Sequence, residues 1–378
     1  MTQPATAEHR VLLADSVADF AARGTDIARV RKLRGASEEY DRAVWTRMAE
    51  MGWLGVLVPE QYGGLGLGLT EMAIVAKGLA RTLAPEPLTG AAVLAASALM
   101  AGDNELLKRE QLPRLVAGQM LPALAWQEAP GELDPAAAGC LATPFEGGYK
   151  LAGTKRFIAG SAQADAFIVS ARAGKELVLL WVPRATAGAR LELETLADGR
   201  AFGALSLQDA LVPKASAVAT GKAAAEAIAG AFDHANVIVA AELAGVLERA
   251  LEMSLEYLRT RVQFGKPIGS FQALQHRAVD LHIHKEIAAS VLDESLAALD
   301  RYPDARSRAA AASRVKARCA DAALKVTRET IQLHGGIGFT DEYDAGLYLK
   351  RAMTLAAWLG GATWHRRRYA QLTREITS

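Results

Sequence analysis

Two stretches in the C-terminal third carry the residues best suited to chemistry. The first is Tyr257-Leu-Arg-Thr-Arg261-Val-Gln263-Phe264-Gly265-Lys-Pro267-Ile-Gly-Ser-Phe271-Gln272, the second Gln332-Leu-His-Gly335-Gly336-Ile-Gly338-Phe339-Thr340. Arg261 closes a helical pattern and is followed by an aromatic, a Gly and a Pro. A guanidinium fixed beside exposed loop backbone is a good diphosphate ligand. Gln272 and Gln332 each offer donor and acceptor groups, suited to a ribose or a base edge. Gly335 and Gly336 remove side chains, so a ligand can lie against the backbone. Taken singly, these features also read as an Arg capping a helix and a Gly-Gly helix stop.

Other chemical groupings are weaker. His282 and His284 are two apart on a helical pattern and share no face, and His276 and His284 have no carboxylate at matching spacing, so no metal site is expected. Cys140 and Cys319 give neither a disulfide framework nor a zinc pattern. Arg366-Arg367-Arg368 reads as a solvated helix face, with a phosphate-binding anion site as the alternative. Asp341 and Glu342 read as acids at a helix N-terminus.

The elements that position these residues fall into three blocks. Residues 1–118 read as helices with turns: Leu12, Leu13, Val17 and Phe20 form one apolar face, and Tyr40, Val44, Trp45, Met48 and Met51 another. Pro59 to Gly68 is a Gly-rich loop, with Thr70 expected to cap the next helix and Glu71 in its first turn. Leu106 to Val116 reads as a further helix. Residues 119–220 change to short β-type runs punctuated by Gly147-Gly148, Gly174 and Asp198-Gly199, which predicts an antiparallel sheet with hairpins. No G-x-G-x-x-G follows a strand, so a dinucleotide fold of that type is not expected. Residues 221–378 read as long helices. Ala244, Leu247, Leu251, Leu255, Leu258 and Val262 form an apolar stripe with Glu248, Glu252 and Glu256 in a row beside it.

Composition narrows the classes. With 378 residues the chain needs more than one core. Lys plus Arg total 43 against 42 for Asp plus Glu, which argues against a nucleic-acid or acidic-membrane partner. Half of the residues are hydrophobic (51%), so disorder is excluded. MTQPATAEHR has no apolar leader core, and the apolar runs are interrupted before membrane-spanning length. A cytoplasmic protein is the expectation.

The two C-terminal stretches, in this order and separation and behind this helix–sheet–helix plan, resemble the acyl-CoA dehydrogenase family. The resemblance is strongest to its degenerate subunits, such as the small subunit of pimeloyl-CoA dehydrogenase. It implies an α+β fold with an N-terminal helical domain, a middle antiparallel β-sheet domain and a C-terminal four-helix bundle. It also implies FAD as cofactor, an acyl-CoA substrate, a homo- or hetero-tetramer with a subunit of the same type, and electron-transfer flavoprotein as acceptor. By the same resemblance Arg261, Phe264, Gln272, Gln332, Gly335 and Gly336 would hold the ADP half of an FAD belonging to a neighbouring subunit. Glu128, Phe157 and Ala159 would face its flavin half, and Asp233 and Asn236 the substrate. The flavin-side motifs are eroded. Gln127-Glu128-Ala129-Pro130 stands for a Thr-Glu-Pro turn and Phe157-Ile158-Ala159 for a Trp-Ile-Thr strand, so the hydroxyl donors are gone.

The chemistry such a family performs needs a carboxylate to take the α-proton of the thioester in a dry pocket. The resemblance places that Glu in one of two positions, which here are Leu359 and Ala235. Leu359 cannot accept a proton, and neither can Ala235. Glu242, seven residues on along the same helix, and His234, beside the expected position, are the available substitutes. The leading expectation is a subunit whose partner supplies the base. The alternatives are a self-sufficient enzyme with a displaced base, an oxygen-using flavin monooxygenase on the same fold, and a non-catalytic structural subunit.

Overall fold

The structure is a computed structural model that describes residues 7–24, 27–34, 40–301 and 304–374. The leader reading at the N-terminus falls mostly outside these residues. The helices are α1 (Ala7–Gly24), α2 (Ile27–Leu33), α3 (Arg42–Glu50), α4 (Leu69–Ala80), α5 (Ala96–Ala101) and α6 (Glu105–Val116), then α7 (Gly221–Thr260), α8 (Gln272–Arg301), α9 (Ala305–His334), α10 (Ala345–Ala357) and α11 (Ala362–Thr373). Eight strands lie between α6 and α7: β1 (Pro122–Ala125), β2 (Leu141–Phe145), β3 (Gly148–Ala159), β4 (Ala166–Ala173), β5 (Glu176–Pro183), β6 (Ala189–Thr195), β7 (Ala201–Pro213) and β8 (Ala217–Thr220). The chain divides into two compact units. One comprises Lys32–Met72 and Pro85–Ala235, the other Ala7–Arg31, Ala73–Ala84 and Asn236–Ser378.

The sheet of the first unit runs β6-β7-β3-β2-β4-β5-β8, with β1 pairing β4. Its pairs are antiparallel except for two: β1 and β2 both run parallel to β4, so the sheet is mixed. Strands β4 and β5 are buried on both faces, which is why their sequences are near-continuous apolar runs. β3 instead alternates, and the charge it turns inward is Lys155. Asp41 caps α3, accepting from the Ala43 N–H, and Val44, Trp45 and Met48 form its buried face. Met51, expected on that face, lies one residue beyond the helix and is exposed. A π-helical segment, Thr89–Ala95, precedes α5, and a Cβ at Gly90 would come 3.4 Å from the Ala159 carbonyl. Such wide turns accommodate an extra residue and concentrate at functional sites.

Helix α4 begins at Leu69, one residue before the expected cap Thr70. The free N–H of Gly68 is taken instead by the Glu71 carboxylate at 3.0 Å, so the acid rather than the hydroxyl closes this end.

In the second unit α7 supplies the core. Ala244, Leu247, Leu251 and Leu258 are buried, whereas Val262 lies past the helix and is exposed. Part of the row beside the stripe is used in packing, while Glu256 is exposed. Glu248 pairs with Lys77 at 2.7 Å and Glu252 with Arg81 at 2.8 Å, docking α4 on α7. The approach is close: a Cβ at Gly245 would sit 2.2 Å from the Lys77 carbonyl oxygen. α9 packs through a run of buried alanines, and Ser254 Oγ donates to Thr330 Oγ1 at 3.0 Å between α7 and α9. By length and composition α7 could cross a membrane, but 78% of its apolar window is buried, as in a core helix. Asp341 and Glu342 precede α10 by three residues or more, so they are not in its first turn; Asp341 instead faces Arg31.

Candidate functional site

Tyr257, one turn from the end of α7, stacks on His334 at the end of α9, with ring centroids 4.4 Å apart. His334 is buried and tied at both nitrogens, Nδ1 to the Thr330 carbonyl at 2.7 Å and Nε2 to the Tyr343 hydroxyl at 2.8 Å. With Nδ1 donating to a carbonyl, Nε2 accepts from Tyr343, which is the neutral imidazole. Burial pushes the His334 pKa below its ordinary value. This stack brings the two signature stretches together at neighbouring helix ends. Sequence reading passed over His334 as a spacer inside the motif.

Beyond α7 the chain forms a two-strand hairpin, β9 (Val262–Gln263) and β10 (Lys266–Pro267). Its two turn residues, Phe264 and Gly265, have φ of 54° and 79°, the turn that suits hairpin twist. Phe in that conformation is strained, yet its ring is 91% exposed. The Ile268 N–H then donates to the Arg261 carbonyl, which sets Gln272 at the start of α8. Arg261, Gln272 and Gln332 are all exposed, and among the described residues none of their side chains makes a hydrogen bond or ion pair. Gly335 has φ 61° and ψ −136°, a conformation practically confined to glycine, so the turn requires it. Gly336 is different. A Cβ there would meet nothing within 4 Å, so the chain's own packing does not demand a glycine. Three unpartnered polar side chains around backbone left bare fit the ADP half of a flavin dinucleotide.

The flavin-side residues lie in the other unit. Glu128 accepts from Lys155 Nζ at 2.5 Å and from the N–H groups of Gly139 and Cys140. Burial raises the Glu128 carboxyl, but these donors outweigh it and hold it below its ordinary value. Lys155 is fully buried and also donates to Ser170 Oγ and the Trp126 carbonyl. Burial lowers its pKa while Glu128 opposes that shift. Glu128 thus anchors the strand to the loop after β1. A Lys on the inward alternation of β3 was the sequence signal for it. Phe157 sits at an irregularity in the β3–β7 ladder with φ 56°, and Arg156 lies over its ring at 5.2 Å. Bulges of this kind re-aim side chains beside active sites. Ala159 offers no side-chain donor, so the residues here do not supply the hydroxyls expected for a flavin ring.

Neither usual base position is open. Ala235 is 0% exposed. Leu359 is 2% exposed, with φ 58°, in the turn between α10 and α11. That turn is held from beneath. Lys316 Nζ donates to the carbonyls of Ala356 and Gly360 at 3.2 and 3.0 Å, and His365 Nε2 donates to the Leu359 carbonyl at 3.0 Å. Burial pushes Lys316 down to about 7 and His365 down to about 3. A Cβ at Gly360 would strike Trp364 and His365 at 2.9 and 3.0 Å.

The two substitutes are tied up as well. Glu242 is mostly buried and receives Arg351 Nη2 at 2.6 Å. The ion pair already occupies this carboxylate. His234 Nδ1 lies 3.1 Å from Ser97 Oγ. Asp233 and Asn236 are both buried, on either side of Ala235. Among the described residues no group of three His, Cys, Asp or Glu side chains is arranged to hold a metal.

Comparison with known proteins agrees with this layout. The family model for the N-terminal domain of acyl-CoA dehydrogenases matches residues 6–119, and that for the C-terminal domain matches residues 225–372. The chain is 31% identical to the acyl-CoA dehydrogenase IpdE2 of Mycobacterium tuberculosis, over 93% of this chain and 92% of that one. A solved variant of the Tcur3481-Tcur3483 steroid ACAD superposes with a TM-score of 0.88 at 29% identity, covering 98% of this chain and 99% of that one. The ChsE4-ChsE5 complex of M. tuberculosis superposes with the same TM-score of 0.88, at 27% identity over 100% of this chain and 99% of that one. In sequence and in fold, this chain belongs to the acyl-CoA dehydrogenase family.

Proposed function

We propose that this chain is one subunit of a hetero-oligomeric acyl-CoA dehydrogenase and does not carry the proton-abstracting residue itself. The supporting observation is an asymmetry. Among the described residues the Arg261, Gln272 and Gln332 side chains are exposed and without a partner, while both base positions hold buried apolar side chains. Arg261 would hold the diphosphate, Gln272 and Gln332 would meet polar edges of the nucleoside, and Gly335-Gly336 would let the group lie against the backbone. The FAD held there would supply the hydride-accepting chemistry for oxidation at the β-carbon of the thioester. The α-proton goes to a carboxylate of the partner subunit. This chain's task is to orient the cofactor and close the site to water. Solved relatives include the ChsE4-ChsE5 complex, and the steroid dehydrogenase among them makes a ring-bearing acyl-CoA the first thioester to assay. Electron-transfer flavoprotein is the acceptor to supply.

The test is purification of the chain alone and together with the product of its genomic neighbour. The chain alone is expected to be colourless and inactive, and the pair yellow and active. A flavin-loaded homo-oligomer that oxidises acyl-CoA unaided overturns the proposal.

A further inference from the structure

The arginine-rich tail that the functional reading leaves aside lines a cleft of about 460 Å³ between α9 and α11. Ser313, Arg314, Arg318 and Asp321 come from α9, Arg366 and Tyr369 from α11. Three guanidiniums therefore share one space. Arg366 pairs with Asp321, and Arg314 Nη2 reaches the exposed Glu294 of α8 at 3.1 Å. Arg318 is the odd one out. Its Nη2 lies 3.3 Å from His284 Nδ1, and since a guanidinium can only donate, that contact is with a neutral ring nitrogen. The Nε atoms of both Arg314 and Arg318 are buried with no acceptor among the described residues. A fourth guanidinium, Arg368, donates to Ser313 Oγ at the cleft wall at 3.1 Å. Positive charge in the cleft thus exceeds the negative charge available to it, and part of its hydrogen-bonding capacity is unused.

We propose that this cleft binds a small ligand through a diphosphate group. Arg314 and Arg318 are one helical turn apart, about 6 Å along the axis. Two linked phosphates span that separation, whereas a lone phosphate or carboxylate would engage one guanidinium at a time. The Tyr369 ring gives the body of the ligand an apolar wall. The cleft is distinct from the candidate cofactor site, because Arg318 lies fourteen residues before Gln332 on α9, about 21 Å of helix.

Isothermal titration of the full chain, in the form in which it purifies, with inorganic pyrophosphate at low salt tests this. Binding below 1 mM is expected, as an order of magnitude for a few charge-assisted contacts. It should weaken about ten-fold or more in Arg318→Gln and in Arg366→Gln, and persist in Arg261→Gln. Arg366 is half exposed, so its variant keeps the fold, which a thermal melt without ligand verifies. Orthophosphate and succinate should each bind about ten-fold more weakly than pyrophosphate. Absence of binding, equal binding by Arg318→Gln and Arg366→Gln, loss in Arg261→Gln, or succinate binding as tightly as pyrophosphate overturns the proposal.

Discussion

Two turns of the second unit make an instructive pair. One follows α9 and contains Gly335-Gly336; the other follows α10 and contains Leu359-Gly360-Gly361. Both use left-handed backbone, at Gly335 and at Leu359. Around the first, polar side chains stand exposed without a partner among the described residues, and a Cβ on Gly336 would meet nothing within 4 Å. Around the second, a buried Lys and a buried His clamp three carbonyls, and a Cβ on Gly360 would strike two rings. A Cβ at Gly361 would also meet nothing, so the contrast between the two turns lies in the side chains: around the first, the open turn, they have no partner among the described residues, and around the second, the completed one, they hold the backbone.

The comparison yields a pattern of effects that can be broken by measurement. Residues around the completed turn should govern stability, and residues around the open one should govern cofactor retention. Glu242→Gln leaves the mostly buried Arg351 guanidinium without its carboxylate, and a cost of about 3–5 kcal/mol is expected in denaturant unfolding. Turnover per folded complex should be unchanged. A variant of normal stability with abolished turnover would instead make Glu242 the base. Leu359→Ala should cost roughly 2–5 kcal/mol, the usual range for a buried leucine, again without loss of specific activity in the complex.

Arg261→Gln should do the reverse. Losing one charge-assisted contact of about 1.5–3 kcal/mol weakens FAD retention by the complex roughly 10- to 100-fold, read by flavin fluorescence on dilution. The melting temperature of the chain without cofactor should not move, because among the described residues the Arg261 side chain has no partner to lose. A large drop in that melting temperature would show the guanidinium to be structural and would erase the contrast between the two turns.

The order of helices, sheet and helices was legible because each block has its own hydrophobic period, and the α7 stripe fell where Leu247, Leu251 and Leu258 are buried. The two motifs were legible because their residue types are unusual together. What held them was not. His334 looks like a spacer until Tyr257 is seen stacked on it, and that contact joins residues far apart in sequence. The clamp of Lys316 and His365 was invisible for the same reason: a lysine on a helix reads as solvated until its surroundings are known. The row of Glu248 and Glu252 was read as polar but not as a docking surface, since its partners Lys77 and Arg81 lie in a distant helix. Parallel pairing of β1 and β2 with β4 leaves no local mark, because short strands of either sense have the same alternation.

The smallest effect concerns His334, and it tests whether the open turn depends on that residue. Its pKa is lowered in the folded chain, so below about pH 6.5 the unfolded chain binds a proton that the folded chain refuses. Stability is therefore present above that pH and is lost as pH falls through the folded value. His365, pushed down to about 3, contributes in the same direction over pH 6.5 to 3, so a global melt does not separate the two. Cofactor retention does. His365 ties the Leu359 turn, while His334 holds the end of α9 where Gly335 and Gly336 begin. Acid release of FAD from the complex as the pH falls below about 6.5 should be blunted in His334→Gln, a few-fold at most, and unchanged in His365→Gln relative to its own melt. Equal blunting by both variants would mean that the two turns respond as one body, and that the open turn has no support of its own.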